Sequence, residues 1–397
     1  MKMDRIICIA EYEGVMNLSE LTHRKHPTIR ASEALKPLVF KGRGTSSNTV
    51  GRFEKINRVD LDDGWDNLEE ELPPLRTEVI IDSTRSIINY NDSPDISFDR
   101  SINPYRGCEH GCTYCFARPT HTYLGFSAGL DFESRILIKP DAAVLLRKEL
   151  AKPSYRCAPI AMGTNTDPYQ PLERKYGITR QILEVLAEHD HPVTIVTKSA
   201  LVERDIDILA GMASKNLARV FMSVTTLNRD ISRTLEPRTS APERRILAIQ
   251  RLHAAGIPVG VMTAPIIPVL TDPEMESILE AARHAGAGSA GYVMLRLPHE
   301  VAPLFVEWLE LHFPLKASHV MSIVKQTRGG KAYDTAFHQR MRGTGLFADM
   351  IAHRFKHATH KLGYNSERHP LRTDLFHPPV PVFESKSKIP GQFGLFA

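Results

Sequence analysis

The stretch Arg106–Cys115, RGCEHGCTYC, holds three of the five cysteines in this 397-residue chain, Cys108, Cys112 and Cys115. Cys8 and Cys157 lie far from them in sequence. The start MKMDRIICIAEYEG has only a short apolar run followed by acids, so no export signal is read there and a cytoplasmic location is expected. In a cysteine-poor chain of this kind a local cluster points to metal or catalytic chemistry rather than to a disulfide framework. Three thiolates at a four-then-three spacing can take three corners of a [4Fe–4S] cube and leave one iron open to an outside ligand. A structural zinc site normally wants four protein ligands. His110 and His121 are near in sequence, but no second CxxC pair follows. An electron-transfer ferredoxin needs a fourth cysteine, and Cys157 precedes the next predicted strand, toward the opposite end of the fold.

Working outward, the sequence from Ser97 alternates short apolar runs with helical patterns. The predicted strands are SFDRSIN (97–103), PIAMG (159–163), PVTIVTK (192–198), ARVFMSVTT (218–226), IPVGVMTAPI (257–266) and GYVMLRL (291–297). Six strand-then-helix units with right-handed crossovers predict an α/β fold, a partial (β/α)6 TIM-type barrel. The cysteine segment follows the first of these strands, and loops after strands converge on one face, where chemistry gathers. Ser240 and Glu243 are expected to form a capping box ahead of RRILAIQRLHAAG, with Gly256 closing that helix. Asp272-Pro273 is expected to open EMESILEAARHAG, with Gly286 as its stop.

The net charge of +4 decides little, but its distribution is uneven. Residues 21–60 are rich in Lys, Arg, Gly and Ser without periodicity, and LDDGWDNLEEELPP (61–74) turns acidic. Residues 1–95 are read as an irregular, partly basic N-terminal extension, 96–330 as the core, 331–378 as a basic helical region and 379–397 as a mobile tail. The basic arm would contact phosphates, with a solvated tail as the plainer alternative. In HRFKHATH (353–360), His353 and His357 lie one turn apart but lack the Glu of a zinc-protease motif, so a solvated basic helix face is expected. RGGK (328–331), with Arg340, Arg342, Arg354, Lys356 and Lys361, is expected to form a basic patch near the barrel mouth. No stretch approaches the roughly 18 to 20 apolar residues of a membrane span.

The C-x3-C-x2-C pattern, with Tyr114 before the third cysteine, resembles the signature of the radical S-adenosylmethionine (SAM) superfamily. That resemblance implies a partial α/β barrel, a [4Fe–4S] cluster, and SAM bound to the open iron through its amino and carboxylate groups. It implies sulfonium cleavage to a 5′-deoxyadenosyl radical that abstracts hydrogen from a substrate, driven by an electron donor such as flavodoxin or ferredoxin. GTNTDPYQPLE (163–173), TIVTKS (194–199), VFMSVTT (220–226) and LEPRTSAPERRILAIQRLHAAGIPVGVMTAPIIP (235–268) further resemble the spore photoproduct lyase and DNA-repair-photolyase-like branch. Carried over by position, Lys198 would meet the SAM carboxylate and Ser223 its ribose or methionyl part, with Asn165 and Asp167 as further SAM contacts. The resemblance breaks at Thr164, where those lyases place a hydrogen-donating cysteine. A threonine O–H bond is too strong for that task, and Cys157 is read as a small buried hydrophobe.

The resemblance therefore implies an enzyme acting on nucleic acid, in DNA repair or modification. Modification of a protein, peptide or small metabolite is the alternative, and a cluster-bearing binding module without turnover the third reading. One further pattern bears on partners. In KIPGQFGLFA (388–397), Gln392, Leu395 and Phe396 resemble the Q-x-x-L-F peptides that hold the bacterial DNA sliding clamp.

Overall fold

The computed structural model describes residues 40–49, 51–53, 75–366 and 370–380. Most of the basic and acidic arm lies outside these residues, as does the clamp-like segment with Gln392, Leu395 and Phe396. Two short strands, β1 (Glu78–Ile81) and β2 (Ile88–Tyr90), precede β3 (Arg100–Ile102) and β4 (Tyr105–Arg106), and β5 (Arg135–Ile138) follows the cysteine segment. Then come β6 (Ile160–Met162), β7 (Val193–Thr197), β8 (Ala218–Ser223), β9 (Val259–Ile266) and β10 (Ser289–Met294), with helices between them.

The main sheet has the order β10-β9-β8-β7-β6-β3-β2. From β3 to β10 every neighbouring pair is parallel, and only β2 runs antiparallel, against β3. These six parallel strands are the six read from the sequence. The sheet curves as a partial barrel and does not close, since β10 pairs only with β9 and the far end is taken by β2. A second, three-stranded sheet, β1-β5-β4, flanks it. Both β1 and β2 belong to the segment expected to be irregular. At four and three residues they are too short for periodicity to register, and β1 pairs with β5, far away in sequence.

The middle strands send alternate residues into the core. Val193, Ile195 and Thr197 of β7 are buried, and Val220 and Met222 of β8 pack into the same core. The helix Ile178–Glu188 faces the sheet with Ile178, Ile182, Leu183, Val185 and Leu186, the i, i+4, i+7 stripe of an amphipathic helix. Each fully buried large aliphatic side chain contributes about 1.5–3 kcal/mol. Gly256, at φ +76, closes the helix Pro242–Ala254 as expected.

The helix starts differ from the expected caps. The helix Pro242–Ala254 is capped at Ala241 without a side-chain bond, because Ser240 Oγ instead accepts the amide of Ala200 at 2.8 Å. Asp272 opens a short 3-10 turn before the helix Met275–His284, and its carboxylate turns to the amide of Val269 and to Arg354. Other partners thus claim both residues over the local cap.

The C-terminal region covers the β10 edge. Met294 N donates to Met341 O at 2.9 Å, and Asn365 brackets Ala290 with bonds to its N and O at 3.1 and 3.2 Å. The helix Leu346–Lys361 exposes His353, Lys356, His357 and His360, the solvated basic face expected. The proposed basic patch is thinner than its sequence implied. Arg328 is fully buried and bonds the carbonyls of Gln339, Arg340 and Leu295, Arg340 pairs with Asp95, and Arg354 pairs with Glu276 and Asp272. Among the described residues no helix is long and apolar enough to cross a membrane.

Candidate active site

The loops after the parallel strands enclose a cavity of about 260 Å³. Cys108, Cys112 and Cys115 line it from the loop after β4, Asn165 and Asp167 from the loop after β6, Lys198 from the end of β7, and Ser223 from the end of β8. All seven residues singled out in the sequence therefore meet in one place. Cys157 does not. It lies half-buried before β6, at the other end of the strands, and burial raises its thiol to about 11.

The three cysteines are free of disulfides. Cys108 and Cys112 are buried and Cys115 half-buried. Burial holds the Cys112 thiol well above its ordinary value and raises Cys115 to about 11, so as free thiols both stay protonated. Bound to iron they would be thiolates. Among the described residues no three His, Cys, Asp or Glu side chains gather closely enough to share one ion. A cube makes no such demand, since each thiolate takes its own iron. The donor set, three uncommitted thiols on one loop facing one cavity, fits a cluster with three cysteine ligands.

The loop that carries them is held by its backbone. Cys108 N donates to Phe132 O at 3.0 Å, Glu109 N to Gln170 Oε1 at 2.9 Å, and Thr113 N to Leu235 O at 3.1 Å. Arg118, wholly buried, donates to Cys112 O at 2.9 Å and Gly111 O at 3.2 Å. Gly163 begins the second loop at φ +87, and a Cβ there would sit 1.9 Å from Val196 O, so only glycine fits.

Asp167 lines the cavity, but its carboxylate is fully engaged by its own chain. Oδ1 accepts from Tyr169 N at 2.9 Å and Thr197 Oγ1 at 2.7 Å, and Oδ2 from Lys198 N at 2.8 Å and His110 Nδ1 at 3.3 Å. These contacts make Asp167 the tie between three loops, at the wall of the cavity. Burial alone would raise the Asp167 pKa, but His110 and these donors outweigh it and hold it low. Burial likewise opposes protonation of His110, yet the Asp167 carboxylate outweighs it and raises the pKa to about 10. The Asn165 amide and the Ser223 hydroxyl make no hydrogen bond among the described residues and remain available to a ligand. Thr164 lines the cavity too, and its Oγ1 accepts from Asn103 Nδ2 at 3.2 Å.

Lys198 is not alone either. Its Nζ lies 3.1 Å from Glu236 Oε1, 3.2 Å from Thr225 Oγ1 and 3.1 Å from Ala264 O, above the Tyr114 ring. Glu236 is buried, and also accepts from Tyr114, Thr225 and Arg245. Burial works to raise its pKa, but Arg245 and Lys198 outweigh that and hold it far below the usual carboxylate range. LEPRTS alone does not mark Glu236, because Tyr114 reaches it from the cysteine loop and Lys198 from beyond β7.

At the mouth, Arg296 lies 4.8 Å over the ring of Phe116, the residue after Cys115, which is 45% exposed. Arg296 Nε has no partner among the described residues. The segment that brings Met341 to the cavity also carries the exposed Phe337 under Arg340, and Arg342 over Tyr292 at 3.9 Å.

The Radical SAM superfamily sequence model matches residues 102–282. An uncharacterized protein of Mycobacterium tuberculosis is 36% identical over 233 residues, covering 58% of this chain and 68% of the relative. An uncharacterized protein of Methanocaldococcus jannaschii is 28% identical over 199 residues, 50% of this chain and 71% of the relative. In fold the chain is similar to spore photoproduct lyase complexed with dinucleoside spore photoproduct, at TM-score 0.52 and 16% identity over 72% of this chain and 80% of that one. A mutant of the same lyase with bound AdoMet and dinucleoside spore photoproduct gives the same TM-score, identity and coverage. Spacing of the cysteines, open parallel sheet and sequence match agree: this chain belongs to the radical SAM superfamily.

Proposed function

We propose that the chain is a radical SAM enzyme of the spore photoproduct lyase-like branch that acts on nucleic acid, in repair or modification. The observation that supports the substrate class is the mouth of the cavity, where the exposed ring of Phe116 stands beside the guanidinium of Arg296. Aromatic faces stack unpaired bases and arginines take phosphates, the combination used on single-stranded nucleic acid. Cys108, Cys112 and Cys115 would hold the cluster, and Lys198, Ser223 and Asn165 would hold SAM. When bound, the cluster supplies an electron and SAM the hydrogen-abstracting group. Arg118 fixes the ligand loop, Asp167 fixes the loop after β6 to β7, and the Met- and Val-lined wall of Met262, Val293 and Met294 keeps water from the reacting atoms. Since Thr164 replaces the lyase cysteine, the hydrogen returned to product comes from elsewhere, and the reaction differs from the lyase's at that step. Residues 96–330 form the catalytic core in this reading, 331–378 a basic helical region beside it, and flavodoxin or ferredoxin the electron source. Gln392, Leu395 and Phe396 are proposed, on sequence alone, to hold a sliding clamp.

The test is anaerobic reconstitution, dithionite reduction and addition of SAM, with 5′-deoxyadenosine read by chromatography and about four irons expected per chain. Cys108→Ala, Cys112→Ala and Cys115→Ala should each lose iron while Cys157→Ala keeps it. Zinc in place of iron, or no 5′-deoxyadenosine under any reductant, overturns the enzyme reading. Binding of a single-stranded oligonucleotide should weaken steeply with salt. Absent or salt-insensitive binding would move the substrate to a peptide or small metabolite.

A further inference from the structure

The superfamily match begins at residue 102, yet part of what holds the cysteine loop comes from residues 43–48. We infer that Arg43–Asn48 is a working part of the cysteine site: it secures the carboxylate that fixes the ligand loop and walls the loop's outer side off from solvent. This rests on the reading of Cys108, Cys112 and Cys115 as cluster ligands.

The centre of the arrangement is Glu133, wholly buried beside the equally buried Arg118. Glu133 Oε1 accepts from Arg118 at 2.6 Å, from Thr45 Oγ1 at 2.9 Å and from Thr45 N at 3.1 Å, and Oε2 accepts from Gly44 N at 2.9 Å. Arg118 directs its other N–H groups to the carbonyls of Cys112, Gly111, Ala128 and Gly129 at 2.9–3.2 Å. The guanidinium has five N–H donors, so one carboxylate and four carbonyls use its whole capacity. Arg43 adds a bond to the Glu133 carbonyl at 2.6 Å. Without residues 44 and 45, the buried carboxylate keeps only Arg118 of its four donors. Glu133 would then turn toward water and take Arg118 off the Cys112 carbonyl.

The same segment closes the space outside the loop. A Cβ on Gly44 would lie 1.7 Å from Gly111 O, and one on Gly129 would lie 2.0 Å from Ser47 O. Backbone rests directly on backbone, with room for neither a side chain nor a water. Beyond it, Ser46 and Ser47 donate to Glu307 at 2.8 and 2.7 Å, and Asn48 exchanges bonds with Asp131 at 3.2 and 3.0 Å. A solvated loop would turn these polar groups to water, whereas here each polar side chain from Arg43 to Asn48 binds the fold. The shell around a metal site controls solvent access to it, and this segment supplies one side of that shell.

The test uses Thr45→Val, which removes one donor at nearly constant size, and Gly44→Ala, which forces the segment off Gly111. In cluster-free protein, hydrogen exchange of the amides of 107–113 should quicken about fivefold in Thr45→Val and more in Gly44→Ala, while the helix Pro242–Ala254 keeps its protection. In reconstituted protein the iron–sulfur absorbance should bleach faster in air from an equal starting iron content. If Gly44→Ala fails to fold, Thr45→Val decides. A wild-type chain that takes up no iron overturns the ligand reading on which this one rests. Iron uptake with unchanged exchange and unchanged bleaching overturns this inference alone.

Discussion

Lys198 Nζ lies 3.1 Å from Glu236 Oε1, and Arg245 binds the other oxygen of the same buried carboxylate. Two cations on one anion leave the group with one positive charge in excess, so an incoming carboxylate is attracted there, and Lys198 can turn to it by giving up its neutral partner Thr225 or Ala264. Lys198→Ala should weaken SAM binding about tenfold, or about 1.4 kcal/mol, while the iron content stays that of the wild type. Glu236→Gln should act on the fold, lowering unfolding free energy by about 3–5 kcal/mol because it leaves Arg245 buried and unpaired. Equilibrium dialysis with labelled SAM and urea titration separate the two, and unchanged SAM affinity in Lys198→Ala refutes its role.

Glycines with the same backbone conformation should differ in what an added methyl costs. Gly163 and Gly177 lie at φ +87 and +61, but the Cβ of the first would meet Val196 O at 1.9 Å and that of the second meets nothing within 4 Å. Gly177→Ala should cost about 1 kcal/mol for the left-handed conformation alone. Gly163→Ala must also part β6 from β7 and should cost about 3 kcal/mol or more. Equal melting temperatures for the two variants would show that the contact at Gly163 is not there.

Why the sequence revealed some of this and not the rest is a matter of distance along the chain. The six parallel strands were legible because β-branched runs such as TIVTK alternate with long amphipathic helices, and the cysteines because their ligand spacing is local. Ser240 was misassigned as a cap, since a serine three residues before a glutamate cannot reveal that the amide of Ala200 lies 2.8 Å from its hydroxyl. The loop-tying bonds of Asp167 carry no sequence signal for the same reason: Lys198 N and His110 reach it from other loops. Glu133 and Thr45, 88 residues apart, had no sequence signal joining them.

Arg296 and Phe116 should be separable by salt. Arg296→Ala should lower the salt slope of single-stranded oligonucleotide binding by about 0.7, the share of one phosphate contact. Phe116→Ala should cost about 1–3 kcal/mol of binding by loss of stacking and leave the slope unchanged. Fluorescence anisotropy across a salt series measures both. Identical slopes for wild type and Arg296→Ala would remove the arginine from phosphate contact.

Stability should fall as the solution is acidified, through a histidine far from the cysteines. His191 is wholly buried between Tyr155 and the carbonyl of Pro192, with bonds of 2.7 and 3.1 Å, and Phe376 packs on its ring. Burial lowers its pKa from 6.5 to about 4, with the charges of Arg100 and His189 pushing the same way. The folded chain thus resists taking a proton that the unfolded chain accepts readily. Stability is full above pH 6.5 and declines as pH drops from there to about 4, where folded His191 also protonates. The loss has an upper bound of about 3 kcal/mol for this residue. His121, lowered to about 4 mainly by burial, adds a parallel contribution, and burial also lowers His189 and His312, so His191→Gln should remove part of the slope rather than all of it. Urea unfolding at pH 7, 6 and 5 reads the slope directly, and a variant as acid-sensitive as the wild type would clear His191 of the effect.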